Sequence, residues 1–444
     1  MKKVRFLSGT AAVLLLLFSL LLPCSASEPP VIDAAAAILI ERNSGNVLYE
    51  MNPDTMIYPA SMTKVMTCLL ALEKGTLTDT VTVSASALSE IGDPSNISFL
   101  KEGEQLTLEN LLYCMMLPSA NEAANAIAEH IAGSIPDFVE LMNQRAAELG
   151  CTGTHFANPH GLHNASHYTT VRDLSRITLK ALENNTFRAI CAAVSHTVPA
   201  TNLSAARTLN TSNKLLVHSN GVDYYDPRVT GVKTGFTTPA GRCLVATAES
   251  GTLSLLSVVC GCATTVLPTG DLLLENFPET KKLFDYGFES FVYVRMLETL
   301  NPVAEIPVLN SAGPGSISLR PSEEIYALMP SDYDPEQADT FVSLSAESVE
   351  APVFAGTELG TMMLSYGDEI LGTVPLVTIT GVSRLETFIP ETRETASFRF
   401  LLLMLCLEAL LVIAFVITVI ILVRRVRRKK ALKEENISEL YEKE

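Results

Sequence analysis

The stretch YPASMTKVMTCLLALE, Tyr58–Glu73, sets a serine, Ser61, one helical turn before a lysine, Lys64, and then runs on through apolar residues. Such a run reads as a buried helix, and Pro59 and Ala60 put Ser61 at its start. Residues three apart share a helix face. Lysine ordinarily titrates near pH 10.4, at about 10.4 in model peptides. Burial, a neighbouring cation and the positive end of a helix all favour its neutral form. A neutral lysine one turn from a hydroxyl is a base beside a nucleophile. Ser-x-x-Lys is common, however, and decides nothing alone.

Two further stretches bear on it. LPSANEAANA supplies Ser119, Ala120 and Asn121 at another helix start. An asparagine there can hold a substrate carbonyl and a serine can relay a proton, although the same residues also make an ordinary helix cap. GVKTGFT supplies Lys233, Thr234 and Gly235 on an expected strand, followed by Phe236 and Thr237. Lys233 is placed to bind a substrate carboxylate or to tune Lys64, and Thr234 to bind the same carboxylate. Gly235 would let a substrate lie along the strand edge. By itself this is also the pattern of a surface lysine before a turn.

The ends of the 444-residue chain read as targeting segments. Residues 1–26 have the basic start, apolar centre and small-residue end of a secretory signal. Pro23 disfavours a lipidated Cys24. Phe398–Val423 is long enough to cross a bilayer core of roughly 30 Å. Starting the span after Glu408 would leave fewer than the ~17 residues required, so Glu408 is expected inside the membrane, protonated, snorkelling or paired. RRVRRKK follows at once, which places the C-terminus in the cytoplasm by the positive-inside rule.

The remainder is long enough for two domains with cores of their own. A net charge of −17 without a basic surface excludes nucleic acid as a partner. Seven cysteines lie between the two end segments, mostly in apolar runs, and read as small core residues rather than a disulfide framework. Strands are expected on both sides of the Asn43–Asn46 turn and across Arg228–Ala263, with helices between these two regions and one closing helix after them. From about Tyr293 the helical period stops, and Pro, Gly and Ser punctuate short apolar runs, as in a separate β-domain. The expected organisation is a signal at 1–26, a catalytic domain at 27–290 and a β-rich domain at 291–385. A linker at 386–397, a transmembrane helix at 398–423 and a cytoplasmic tail at 424–444 complete it.

Ser-x-x-Lys, Ser-x-Asn and Lys-Thr-Gly, in that order in an exported chain, form the motif set of penicillin-interacting serine enzymes. The chain resembles the low-molecular-weight penicillin-binding proteins, the serine-type D-alanyl-D-alanine carboxypeptidases, from about Ala34 to Val382. The resemblance implies an α/β (α+β) catalytic domain with an antiparallel sheet flanked by helices, then a small all-β domain. It implies that Ser61 attacks the D-Ala-D-Ala amide with Lys64 as base, and that Ser119 and Asn121 assist. The backbone N–H groups of Ser61 and Phe236 would form the oxyanion hole. The terminal carboxylate would face Lys233, Thr234 and Thr237 across Gly235, with Arg242 as a further candidate. No cofactor and no metal are implied. The partners are the peptidoglycan stem peptide, β-lactam antibiotics as covalent inhibitors, and the membrane through the C-terminal helix.

Rival readings share these residues. A β-lactamase needs a second carboxylate for deacylation, and the PHGLHN stretch carries none. An endopeptidase of cross-links, or a membrane-anchored β-lactam sensor that turns over slowly, would use the same set. His155, His160, His163 and His167 crowd one loop. Its proline, glycine, asparagine and serine argue against a rigid zinc set, and the resemblance implies that His160, Gly161 and Leu162 line the rim of the site.

Overall fold

The computed structural model describes residues 28–91, 93, 96, 98–386 and 393–441. The expected signal lies outside the described residues. Contacts divide the chain into two compact units. One holds the residues up to Thr299 with Glu323–Phe341 and Met362–Val374, and the other holds Leu300–Ser322, Val342–Thr361 and the residues from Pro375 on.

The first unit is built on a five-stranded antiparallel sheet. Strands β1 (Ala36–Glu41) and β2 (Val47–Met51) form the expected hairpin. The chain then enters a 3-10 turn, Ala60–Thr63, that runs directly into α1 (Lys64–Lys74). A ribbon of β3 (Thr80–Thr82) and β4 (Gln105–Thr107) brackets the short α2 (Ala85–Ser89). Four helices follow: α3 (Leu108–Met116), α4 (Asn121–Ala132), α5 (Ile135–Glu148) and α6 (Val171–Leu182). Hydroxyl caps start three of them. Thr107, Ser134 and Thr170 each accept a backbone N–H from the first turn of α3, α5 and α6. Next come α7 (Asn185–Ala192) and a ribbon of β5 (Ser195–Val198) and β6 (Arg207–Asn210), none of which the sequence pattern singled out.

Strands β7 (Val229–Thr237), β8 (Gly241–Ser250) and β9 (Leu253–Cys262) complete the sheet in the order β2-β1-β9-β8-β7. Successive side chains on a strand point to opposite faces, and here both faces are covered. Ile38, Val245 and Val258 join the core beneath α1 and α3–α7. Leu39, Leu244 and Val259 join a second core with Phe277, Leu283 and Phe284 of α8 (Asn276–Ser290), which follows the small ribbon of β10 (Thr264–Val266) and β11 (Leu272–Leu274). Each such side chain contributes about 1.5–3 kcal/mol when fully buried. Helix α8 approaches the sheet at Gly287, where a Cβ would lie 2.6 Å from Leu255 Cδ1 and 2.9 Å from Leu39 Cδ2, so a larger residue there would force those leucine side chains to shift.

The downstream strands are β12 (Phe291–Leu297), β13 (Ala304–Leu309), β14 (Ser316–Pro321), β15 (Ile325–Pro330), β16 (Ala338–Leu344), β17 (Val349–Glu350), β18 (Glu358–Tyr366) and β19 (Glu369–Thr378). β12 pairs with β15, and the others run in the order β16-β18-β19-β14-β13-β17. β14 and β15 alternate buried with more exposed residues, as expected of sheets with one wet face. The last helix, α9 (Arg393–Tyr441), contains an apolar stretch with a mean hydropathy of 3.0. It continues as helix through the basic run at 424–430.

Candidate active site

Ser61 does not stand inside an α-helix. It occupies the 3-10 turn before α1, and Lys64 is the first residue of α1. The residue before the serine, Ala60, has φ +47°, a left-handed conformation that disfavours a Cβ. The turn is held from two sides. Gly161 touches it so closely that a Cβ there would come within 1.8 Å of Ala60 O. On the other side, a Cβ on Gly235 of β7 would lie 3.1 Å from Pro59 O.

Lys64 is fully buried and its Nζ has three oxygen neighbours: Ser61 Oγ at 3.0 Å, Asn121 Oδ1 at 2.8 Å and the His160 carbonyl at 2.6 Å. Burial first, and then the charge of Lys233, hold its pKa well below the usual lysine value, while Glu122 acts in the opposite sense. A neutral amine has two N–H bonds and one lone pair. The Asn121 amide oxygen and the His160 carbonyl can only accept, so they take the two N–H bonds. The lone pair is left for Ser61 Oγ, which can donate its proton to it. The arrangement thus orients the base as well as neutralising it.

Asn121 is committed at both ends, because its Nδ2 donates to the Asn96 carbonyl at 3.0 Å. Ser119 has φ +72°, and its Oγ is buried without a hydrogen-bond partner among the described residues. Lys233 is only 1% exposed. Its Nζ donates to the Thr234 carbonyl at 3.1 Å, and burial lowers its pKa to about 7. Thr234 turns the other way, with its Oγ1 at 2.7 Å from Ser212 Oγ. Thr237 Oγ1 accepts from Ala240 N in the β7–β8 turn. Phe236 is half exposed, and the Arg242 guanidinium lies 4.1 Å from its ring centroid.

These groups surround a cleft of about 400 Å³. Ser61, Ser119, Thr234, Gly235 and Phe236 line it with Ser212, Lys214, Arg242 and the start of α8. Lys64, Asn121 and Lys233 stand behind this wall, and Thr237 lies outside the lining. Arg242 donates from Nε to Thr264 Oγ1 at 3.0 Å, and no acidic side chain pairs with it among the described residues. Desolvation lowers its pKa.

Two of the four loop histidines, His160 and His167, are packed inward, and His155 and His163 are exposed. His160 is 4% exposed, and its ring nitrogen Nδ1 accepts from Leu162 N. Its side chain faces the interior rather than the rim, and its contribution to the site is its carbonyl. Burial, then the charges of Lys64 and His167, pushes its pKa down to about 3. His155 reaches the Ser166 carbonyl and His163 packs against Tyr58. Among the described residues no three metal-ligating side chains cluster.

Some participants were not singled out from the sequence. Glu122 is fully buried, and its Oε1 accepts from the N–H groups of Ser98, Phe99 and Leu100. It directly follows Asn121 in the first turn of α4, where an acidic residue is ordinary, so the sequence alone did not mark it as a loop anchor. Ser212 lies in LNTSNKLL, a stretch with no chemistry of its own until Thr234 meets it.

Comparisons with known proteins agree with this geometry. The sequence model described as D-alanyl-D-alanine carboxypeptidase matches residues 24–264, and that of the penicillin-binding protein 5 C-terminal domain matches 293–384. The D-alanyl-D-alanine carboxypeptidase DacF of Bacillus subtilis is 33% identical over 350 residues, covering 78% of this chain and 84% of that protein. DacA of Escherichia coli is 32% identical over 361 residues, covering 79% and 84%. Among solved structures, penicillin-binding protein 5 of Haemophilus influenzae superposes with a TM-score of 0.58 at 28% identity, over 81% of this chain and all (100%) of that one. The DD-transpeptidase of Streptomyces K15 superposes at 0.52 with 29% identity, over 59% of this chain and 99% of its own. With a buried lysine aimed at Ser61 and both domain types matched in order, the chain belongs to the D-alanyl-D-alanine carboxypeptidase family of penicillin-binding proteins.

Proposed function

We propose that the chain removes the terminal D-alanine from peptidoglycan stem peptides ending in D-Ala-D-Ala, through an acyl-enzyme on Ser61. The observation that carries this reading is the buried Lys64 Nζ 3.0 Å from Ser61 Oγ, with its two other oxygen neighbours, Asn121 Oδ1 and the His160 carbonyl, able only to accept. Ser61 Oγ attacks the carbonyl carbon of the penultimate D-alanine while its proton passes to Lys64 Nζ. The N–H groups of Ser61 and Phe236 receive the developing oxyanion. Ser119, whose hydroxyl lies at the cleft wall, passes its proton to the leaving amine and takes in its place the one Lys64 received from Ser61, which returns Lys64 to its neutral form. Water, deprotonated through Lys64, then releases the shortened peptide. A β-lactam carbonyl would acylate Ser61 in the same way.

Lys233 is assigned to the base rather than to the substrate, since its ammonium is buried beside Thr234 and its charge depresses Lys64. The terminal carboxylate is assigned to Thr234, Ser212 and Arg242 at the open side of the cleft. Arg242→Ala is therefore expected to raise KM roughly 10–100-fold, the size of one charge-assisted hydrogen bond, with kcat within about threefold. The check is a matched substrate whose C-terminus is amidated. Wild type should lose about as much on that substrate as Arg242→Ala loses on the acid, and the variant should discriminate little between the two. Equal discrimination by both proteins would remove Arg242 from the carboxylate site.

We assign 27–290 as the catalytic part and 291–385 as the β-rich part. The helix over Ser397–Ala431, apolar and unburied, fits a single membrane anchor. The basic run at 424–430, in its last turns, supports a cytoplasmic C-terminus and a catalytic domain on the extracytoplasmic side. The deciding experiment for the function follows free D-alanine from a pentapeptide stem and, separately, cleavage of a cross-linked dimer. Steady release from the pentapeptide, stopped by one equivalent of a β-lactam, is expected. Cleavage of the dimer alone would make the enzyme an endopeptidase, and acylation without turnover of either would make it a sensor.

A further inference from the structure

The carbonyl of Ala60 and the N–H of Ser61 belong to one peptide unit, which is planar and trans, so the two point in opposite directions. Whatever fixes the carbonyl therefore aims the N–H. The Ala60 carbonyl accepts from Thr63 Oγ1 at 2.9 Å. Thr63 Oγ1 in turn lies 2.8 Å from His167 Nε2. The other ring nitrogen, Nδ1, accepts from the backbone N–H of Ala157 at 3.0 Å.

These contacts determine the protons. A ring nitrogen that accepts an N–H carries no hydrogen, so the neutral imidazole has its proton on Nε2. Nε2 then donates to Thr63 Oγ1, and the threonine hydrogen can only go to the Ala60 carbonyl. The result is a one-way chain from Ala157 N–H through His167 and Thr63 to the peptide before the nucleophile. Every side chain in it is buried: His167 is 2% exposed and Thr63 fully enclosed. The ring is held neutral, with its pKa brought down to about 3 by burial, then by His155, Lys64 and His163. The ring packs against Phe156 in a T-shaped pair, with ring centroids 5.6 Å apart. Ala60 at φ +47° needs such support, because the left-handed region is not its preferred one.

We infer that His167, acting through Thr63, is a positioning residue that fixes the Ala60–Ser61 peptide and so aims the Ser61 N–H at the oxyanion. Hydrogen bonding along the chain also polarises that peptide and strengthens the N–H as a donor. The inference rests on Ser61 being the nucleophile.

The test uses the full chain in detergent and measures acylation by a fluorescent penicillin, separating the rate constant from the binding step. Thr63→Val keeps the shape and removes the hydroxyl, whereas Thr63→Ser restores it. Loss of a whole oxyanion donor costs about 10²–10³ in rate. Misaiming one is expected to lower the acylation rate constant about 10–100-fold in Thr63→Val, with the binding step within threefold. Thr63→Ser should recover to within threefold of wild type. His167→Ala should show the same loss, and serves in place of Thr63→Val if that variant no longer melts cooperatively. The double variant should lose no more than the worse single one, because both break one chain. A folded Thr63→Val with wild-type acylation, a loss confined to binding, or losses that multiply would overturn the inference. A wild type that acylates but never releases D-alanine would sink the carboxypeptidase reading alone, because acylation still reports on the Ser61 peptide.

Discussion

Ser61→Ala is expected to abolish both D-alanine release and covalent labelling by β-lactams, with kcat falling by at least about 10⁴-fold. Removing the nucleophile from a serine hydrolase costs on the order of 10⁶ in kcat, because the remaining groups have nothing to activate. The other hydroxyls on the cleft are poor substitutes. Ser212 is engaged with Thr234, and Ser119, though free, is not within the hydrogen bonds that surround Lys64 Nζ. The variant should fold, since alanine keeps the Cβ and gives up only the hydroxyl with its contact to Lys64 Nζ. Mass spectrometry of the intact protein after β-lactam treatment gives the answer directly. An adduct on Ser61→Ala, or release within tenfold of wild type, would move the nucleophile elsewhere, with Ser119 the first residue to examine.

Lys64→Arg should be nearly as severe, with acylation slowed by at least about 10³-fold. A guanidinium stays protonated at any pH the protein tolerates, so it cannot take the proton of Ser61. It would also bring a permanent charge into a site that burial and Lys233 have arranged to keep neutral. The wild-type rate gives a second readout. Because the Lys64 pKa lies well below its ordinary value, activity should already be on its plateau far below pH 10, and the acidic limb marks protonation of the base. Lys233→Met removes a positive neighbour. The charged form of Lys64 then becomes easier to make, its pKa rises, and the acidic limb moves to higher pH. Full activity in Lys64→Arg, or a limb that stays in place in Lys233→Met, would contradict Lys64 as a base tuned by Lys233.

Much of this site could be read from residue order, because motif residues are near one another in the chain. Ser61 and Lys64 are three apart, and their proximity follows from one helical turn. The five sheet strands announced themselves by apolar runs and turn residues, and the buried α1 by its apolar face. What could not be read was anything settled by distant pairings. The motif shows that Asn121 can hold a substrate carbonyl, but not that its amide also joins Lys64 to Asn96. Lys233 shares a motif with Thr234, yet neighbouring strand residues face opposite ways, and only Thr234 reaches the cleft. His160 and His167 resembled rim or metal residues because histidines usually sit where water or a metal can reach them. Their burial depends on how the loop folds over α1, which local pattern does not specify. Thr63 looked like a spacer between two motif residues until its partner arrived from 104 positions away.

The same long reach has a consequence for assembly. Lys64 closes contacts across 57 residues to Asn121 and across 96 to His160. Such closures demand loop entropy that local helices do not, and they form late. A chain with its helices made but its sheet unfinished would lack the acceptors that turn the lone pair towards Ser61, so its lysine would be solvated and charged. Reactivity therefore arrives only with the finished tertiary structure. A β-lactam tag on this protein counts molecules that have completed folding, and could be used as a clock for that step on newly made chains.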